Sequence, residues 1–362
     1  MPDLQNRSRL SNFDTLRLLF AVLVILSHSF SLGRGSSDTE PLSKLTRGEV
    51  TFGNLGVWAF FCISGYLITQ SWTRSPLPIK FLRRRVARIY PGFIVAALFG
   101  AFIVAPLAAA SLTQFRISPF DFLLRTLLLR RFRCSFAFLS NPYPGELNGS
   151  LWSIPYEFWC YTGVMLLGMS RILYRRWVVL ALFAALLGWR LLFREPPVWL
   201  PSQGPLVEFF GDPQIWLTVL PFFIAGAIFH LYGGPVLLRR PLLLVAAFLL
   251  VGAAFIPHAL AVAMPTCGMY LLMGLAYYPR LHPLNLGRFG DFSYGTYLYA
   301  FPIQQLIVKF VPGSMAPMTL FLLATPISLL FGSLSWFLVE QRFIARSARL
   351  KYEGKEAVIS HS

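Results

Sequence analysis

The sequence predicts an all-α, polytopic integral membrane protein of about ten transmembrane helices with both termini cytoplasmic. Three observations carry that expectation. Of 362 residues, 56% are hydrophobic and only 13% charged, too little polar surface to coat a soluble globule of this length. Apolar runs near the roughly 20 residues that cross a hydrocarbon core recur from Leu16 almost to the C-terminus, leaving no room for a large soluble domain. The links between alternate runs are short and basic, as cytoplasmic loops are.

Taken in order, the runs are Leu16 to Ser31, Leu55 to Trp72, Val86 to Leu107, Leu151 to Met169, Trp177 to Phe193, Ile215 to Tyr232, Leu242 to Ile256, Leu260 to Tyr278, Ser293 to Phe310 and Met318 to Phe343. Arg74 to Arg88, Arg171 to Arg176, Arg239-Arg240, Arg280 to Arg288 and the basic tail from Arg342 mark the inward side. Pro257-His258 and Val311 to Pro317, nearly uncharged, fall outside. Phe120 to Leu129 is apolar but too short to cross and holds Arg125, which suits an interfacial or re-entrant segment. The chain reads as one membrane domain over 1–362, with residues 1–13 and 353–362 as flexible tails. No small-residue cleavage site follows the first run, so a removable signal peptide is not expected.

The net charge of +17 raises the question of nucleic acid, but topology accounts for it. About 20 basic residues fall inside and about 11 outside in this arrangement. Arg125, Arg130, Arg131 and Arg133 are the exception, because they sit in an assigned outer loop. Cys62, Cys134, Cys160 and Cys267 show no paired spacing and read as packing residues, and His230, His258, His282 and His361 make no ligand set, so no metal is expected.

Chemistry is suggested first by Arg17 and His28 inside the first run. Eleven residues at about 100° each bring both to one helix face, roughly 16 Å apart. An ionisable group at such depth is costly and marks function by default. Ser64 lies among small and aromatic residues of the second run, where it could face a polar interior or simply a helix contact. Arg85 and Arg88, three apart, could offer two guanidinium forks to phosphates near a helix start or could anchor topology. Ser153 and Glu157 share a face, and Glu157 is a lone carboxylate in an apolar run. Tyr294 and Tyr297, with Asp291 and Ser293, could line a cavity, and Glu340 reads as the partner of a nearby arginine.

In this order the segments resemble the membrane acyltransferase-3 family of bacterial O-acyltransferases across nearly the whole chain. The match rests on Arg17 with His28, Phe60 to Ile68, Arg85 with Arg88, Ser150 to Glu157, Ser293 to Leu298 and Trp336 with Glu340. The resemblance implies a ten-helix enzyme of the bacterial inner membrane. It would take an acyl group, usually acetyl, from coenzyme A and deliver it to a hydroxyl of a cell-envelope carbohydrate. Ala300 departs from the pattern, since many relatives carry histidine there, and no C-terminal esterase-like domain is expected.

On this reading Arg85 and Arg88 hold coenzyme A phosphates. His28 is general base or transient acyl acceptor, Glu157 orients it, Ser153 donates to the oxyanion and Arg17 gives electrostatic support. Ser64, Tyr294 and Tyr297 are substrate-binding candidates, and the partners are a carbohydrate acceptor and the bilayer. A transporter or flippase using the same buried polar residues is the competing class, against which stands the lack of a repeated half. A catalytically dead relative is the third.

Overall fold

Each apolar segment read from the sequence coincides with a helix in the structure, a computed structural model that describes residues 12–109, 118–132, 134–193, 203–284, 286–311, 313 and 315–347. The helices are α1 Phe13–Arg34, α2 Pro41–Leu45, α3 Phe52–Arg74, α4 Pro78–Ala108, α5 Pro119–Leu127 and α6 Ile154–Met169. Then come α7 Arg176–Leu192, α8 Pro205–Phe210, α9 Pro213–Leu231, α10 Arg240–Ala253, α11 Leu260–Ala276, α12 Ser293–Phe310 and α13 Pro317–Ser347. The described residues contain no strand. Five stretches, α1, α3, α4, Pro205–Leu231 and α13, are long and apolar enough to cross a bilayer, while α10 and α11 are apolar but shorter. The molecule is a multi-pass helical membrane protein.

Local signals explain where the helices begin and end. The Thr51 hydroxyl accepts from Asn54 N at 3.0 Å while Asn54 Oδ1 accepts from Thr51 N at 3.1 Å, a reciprocal box that opens α3. Asp212 caps α9 through Gln214 N at 2.8 Å, with Pro213 in the first turn. Gly35, at φ +80°, ends α1 in the left-handed conformation that glycine adopts without strain.

At the core, α3 packs against α9 and α1, and α12 against α13 and α1. The crossing of α3 and α9 is close enough that a methyl added at Gly65 would collide with the Phe223 carbonyl, and one at Gly226 with the Cys62 carbonyl. Small residues at this contact stand in for the hydrophobic drive that lipid removes. Gly295 and Gly332 let α12 meet α13 in the same way.

One expectation shifts. The third long helix, α4, begins at Pro78, eight residues before the expected Val86, so Lys80 lies in its first turn and Arg85 and Arg88 lie well inside it. Pro78 suits a first helical position, and arginine and lysine are good helix formers, so the helix extends over the charged residues. Arg85 and Arg88 therefore lack the free backbone N–H groups expected of them at a helix terminus. The 120–129 segment forms the nine-residue α5, which packs on α4 through Phe122 against Phe102, and Tyr90 donates its hydroxyl to Leu127 O at 2.8 Å. Most of both expected tails lies outside the described residues, but Asn12 and Phe13 are buried. Cys62, Cys134 and Cys160 are buried, and all four cysteines are free thiols.

Candidate active site

Two polar centres lie at opposite ends of α1, about 16 Å apart by helical rise. At the first, Arg17 Nη1 donates to Asp291 Oδ2 at 2.6 Å. Arg88 Nη2 donates to that same oxygen, and Arg88 Nη1 reaches Glu340 Oε2 at 3.1 Å. Ser293 Oγ donates to Asp291 Oδ1 at 2.5 Å and Ser335 Oγ to Glu340 Oε1 at 2.9 Å. Burial pushes the Asp291 carboxyl up, but Arg17, Arg88 and Ser293 outweigh it and hold it down at about 2. Two cations and two carboxylates thus close a neutral network among α1, α4, α13 and the segment entering α12. Glu340 is completely buried and arises from a turn of π-helix, Trp336–Glu340, within α13.

Beside this network Glu157 Oε1 accepts from Ser64 Oγ and from Tyr161 OH, each at 2.5 Å. Arg17, Phe60, Glu157, Ser153, Tyr294 and Tyr297 border one small cleft. Ser153 is therefore a neighbour of Tyr297, and Ser64 of Glu157, pairings that the sequence did not foreshadow. Tyr297 OH donates to Ser150 O at 2.6 Å, which leaves Ser153 Oγ as donor to the Tyr297 oxygen at 2.8 Å. Tyr294 OH donates to Ile89 O at 3.0 Å, tying α12 to α4.

His28 occupies the second centre. Its ring meets Phe301 edge-on at 5.2 Å between centroids, and its Nδ1 is buried without a hydrogen-bond partner. It lines a cavity of about 470 Å³ with Ser31, Asn54, Trp152, Tyr297 and Phe301. Val57 and Tyr297 border both this cavity and the Arg17 cleft. Around His28 the frame is polar, and most of it is bonded, although Gln304 Oε1 is buried without a partner. Ser27 Oγ donates to Glu40 Oε2 at 2.7 Å, and Gln304 Nε2 donates to Ile25 O at 2.9 Å and Ser29 Oγ at 2.8 Å.

Arg85 and Arg88 share a face of α4 but differ in commitment. Arg88 is taken by two carboxylates, whereas Arg85 gives one bond to Ser71 Oγ at 3.0 Å and lies over the rings of Phe81 and Tyr161. Its Nε, like that of Arg83, is buried with no partner.

The chain matches the acyltransferase-3 family, described as an acyltransferase domain, over residues 10–337. The chain belongs to that family. It is 30% identical to a protein of Shigella phage Sf6 named O-acetyl transferase, in a match covering 93% of this chain and 96% of the relative. Nodulation protein 10 of Rhizobium leguminosarum bv. viciae is 27% identical, covering 91% of this chain and 92% of that protein. No solved structure matches.

The Arg17 cleft and the His28 cavity join residues that sequence reasoning singled out separately. Arg17 finds its partner in Asp291, not Glu157, and Glu157 meets two hydroxyls, not the His28 imidazole. Glu40, Tyr161, Gln304 and Gln305 were missed. The two glutamines carried a signal, since adjacent amides in a membrane run demand partners. Gln305 Nε2 donates to Tyr143 O at 2.8 Å, and its Oε1 accepts from Asn141 Nδ2 at 2.8 Å. Glu40 had none, because its burial depends on a loop folding back over α1.

Proposed function

We propose that this acyltransferase moves an acyl group, acetyl in the simplest case, from acyl-CoA to a hydroxyl of a cell-envelope or exported carbohydrate. It would do so across the bacterial inner membrane in a ten-crossing domain with both termini in the cytoplasm. The observation that carries the reading is His28. An imidazole whose buried Nδ1 lacks a partner costs about 1–3 kcal/mol, and here it faces a cavity instead of packing silently. Packing against Phe301 holds the ring, and no carboxylate bonds to it among the described residues.

Arg85, with its unpartnered Nε, and Arg83 suit the phosphates of coenzyme A, and the offset of roughly 16 Å from the Arg17 level to His28 is on the scale of an extended pantetheine arm. Arg88 and Arg17 support this end through Asp291. At the other end His28 takes the proton of the acceptor hydroxyl as its oxygen attacks the thioester carbonyl. The intermediate collapses with loss of the coenzyme A thiolate, which receives that proton from the imidazolium. Ser153, by turning from Tyr297, donates to the developing oxyanion. The name of the Shigella phage Sf6 relative, O-acetyl transferase, agrees with acyl transfer.

Release of free coenzyme A thiol from acetyl-CoA by the purified protein in detergent tests this reading. His28→Ala, verified as folded by its thermal transition, is expected to lose at least about 100-fold. A parental rate in that variant would overturn the assignment, and absence of thiol release from the parent would favour a transporter.

A further inference from the structure

A second, larger cavity of about 630 Å³ opens next to the His28 cavity, and the two share Arg131, Trp152 and Ile215 as walls. Such a volume lies in the roughly 300–1,000 Å³ range of small-ligand sites. Its lining is polar around two aromatic rings: Arg125, Arg130, Gln203, Glu208 and Asp212 surround Trp152 and Tyr156. These are the loop arginines that charge topology left unexplained.

The charges there are matched. Arg125 bonds Asp121 at 2.9 Å and faces Glu208 at 3.6 Å, and Arg131 bonds Glu146 at 2.8 Å. Arg130 donates Nε to Glu208 O at 3.0 Å and Nη2 to Val207 O at 2.8 Å, pinning α8 as one wall. Trp159 Nε1 and Trp216 Nε1 pin the same helix through Phe209 O and Phe210 O, both at 3.0 Å. A polyphosphate calls for several uncompensated cations, and an acyl tail for an apolar wall. Interleaved guanidinium, amide and carboxylate groups beside an indole face instead suit a polyhydroxyl ring, whose hydroxyls both donate and accept and whose C–H face stacks on an aromatic.

We infer that this cavity is the acceptor site, binding a neutral or weakly charged pyranose segment against Trp152 so that one hydroxyl passes the shared wall to His28. The assignment rests on the acyl-transfer reading above, yet its test does not need turnover. In a Cys267→Ser background, where the other native cysteines are buried, exposed Gln203 is replaced by cysteine and its modification by a maleimide is timed. Oligosaccharides released from the cell envelope by mild acid are expected to slow labelling at least fivefold, and free coenzyme A to leave it unchanged.

Trp152→Ala should abolish that protection, and Trp152→Phe should restore most of it. Glu208→Gln, at a half-exposed side chain where folding is not at risk, should weaken it about threefold. Equal protection by coenzyme A, absence of protection by the saccharides, or full protection in folded Trp152→Ala would each overturn the site. Failure of thiol release from acetyl-CoA, with protection intact, would instead count against the acyl-transfer reading alone.

Discussion

Arg17 and Arg88, from two different helices, converge on a single oxygen, Oδ2 of Asp291. The carboxylate therefore balances two cations whose side chains are each only 17% exposed. Asp291→Asn removes the balance and keeps the shape. Breaking a buried ion pair from one side costs about 3–5 kcal/mol, so the thermal midpoint in detergent should fall sharply, and a midpoint within a degree of the parent would contradict this.

The pH dependence of that loss has a definite sign. A carboxyl held at about 2 against an ordinary 3.8 contributes stability that is fully present above 3.8 and disappears as pH falls through 2. The gap between parent and Asp291→Asn should accordingly be flat from about pH 5 to about pH 9. A gap that narrows with rising pH would point to a different titrating group.

Arg85→Ala and Arg88→Ala should part company. Arg85 makes one neutral hydrogen bond, so its loss should raise the KM for acyl-CoA about tenfold while costing little stability. Arg88 neutralises two carboxylates, so its loss should appear first in the unfolding midpoint. Steady-state kinetics beside thermal denaturation of the same preparations distinguishes them.

Glu157→Gln retains an oxygen able to accept from Ser64 and Tyr161, whereas Glu157→Ala strands both hydroxyls. Each stranded group costs about 1–3 kcal/mol. Denaturation should therefore rank parent, then Gln, then Ala, and the pH profile of acyl transfer in the Gln variant reports any electrostatic role of the charge.

Gly65→Ala should be among the most destabilising single changes, because the methyl has only the Phe223 carbonyl to meet and helix backbone does not yield locally. Overpacking costs typically about 1–3 kcal/mol, and a clash with backbone belongs at the upper end. Yield of folded protein after extraction is the measurement.

Much of this was legible beforehand because membrane sequence signals are strong. Runs of apolar residues with basic links placed the helices, and ionisable residues out of keeping with their surroundings, such as Arg17, His28 and Glu157, stood out as candidates. Pairings were not legible. Periodicity says which face Arg17 occupies, but whether Asp291 or Glu157 meets it depends on how far the segment before Ser293 tucks under α1. Glu40 was hidden for the same reason, since a loop carboxylate looks solvated until the fold buries it. The helix boundary at the basic cluster was placed too late, because charge was read as the end of a helix when arginine is comfortable inside one.

The π-turn at Trp336–Glu340 has an effect beyond its five residues. Gln341 N bonds back to Trp336 O, so the helix accommodates one residue more than a regular turn would. Everything after it is out of phase with the preceding stretch by about 100°, the rotation of a single residue. A wheel projected through the whole of α13 therefore mixes two registers, and shortening the chain there by one residue would leave a straighter, more regular helix with its inward carboxylate swung away from Arg88.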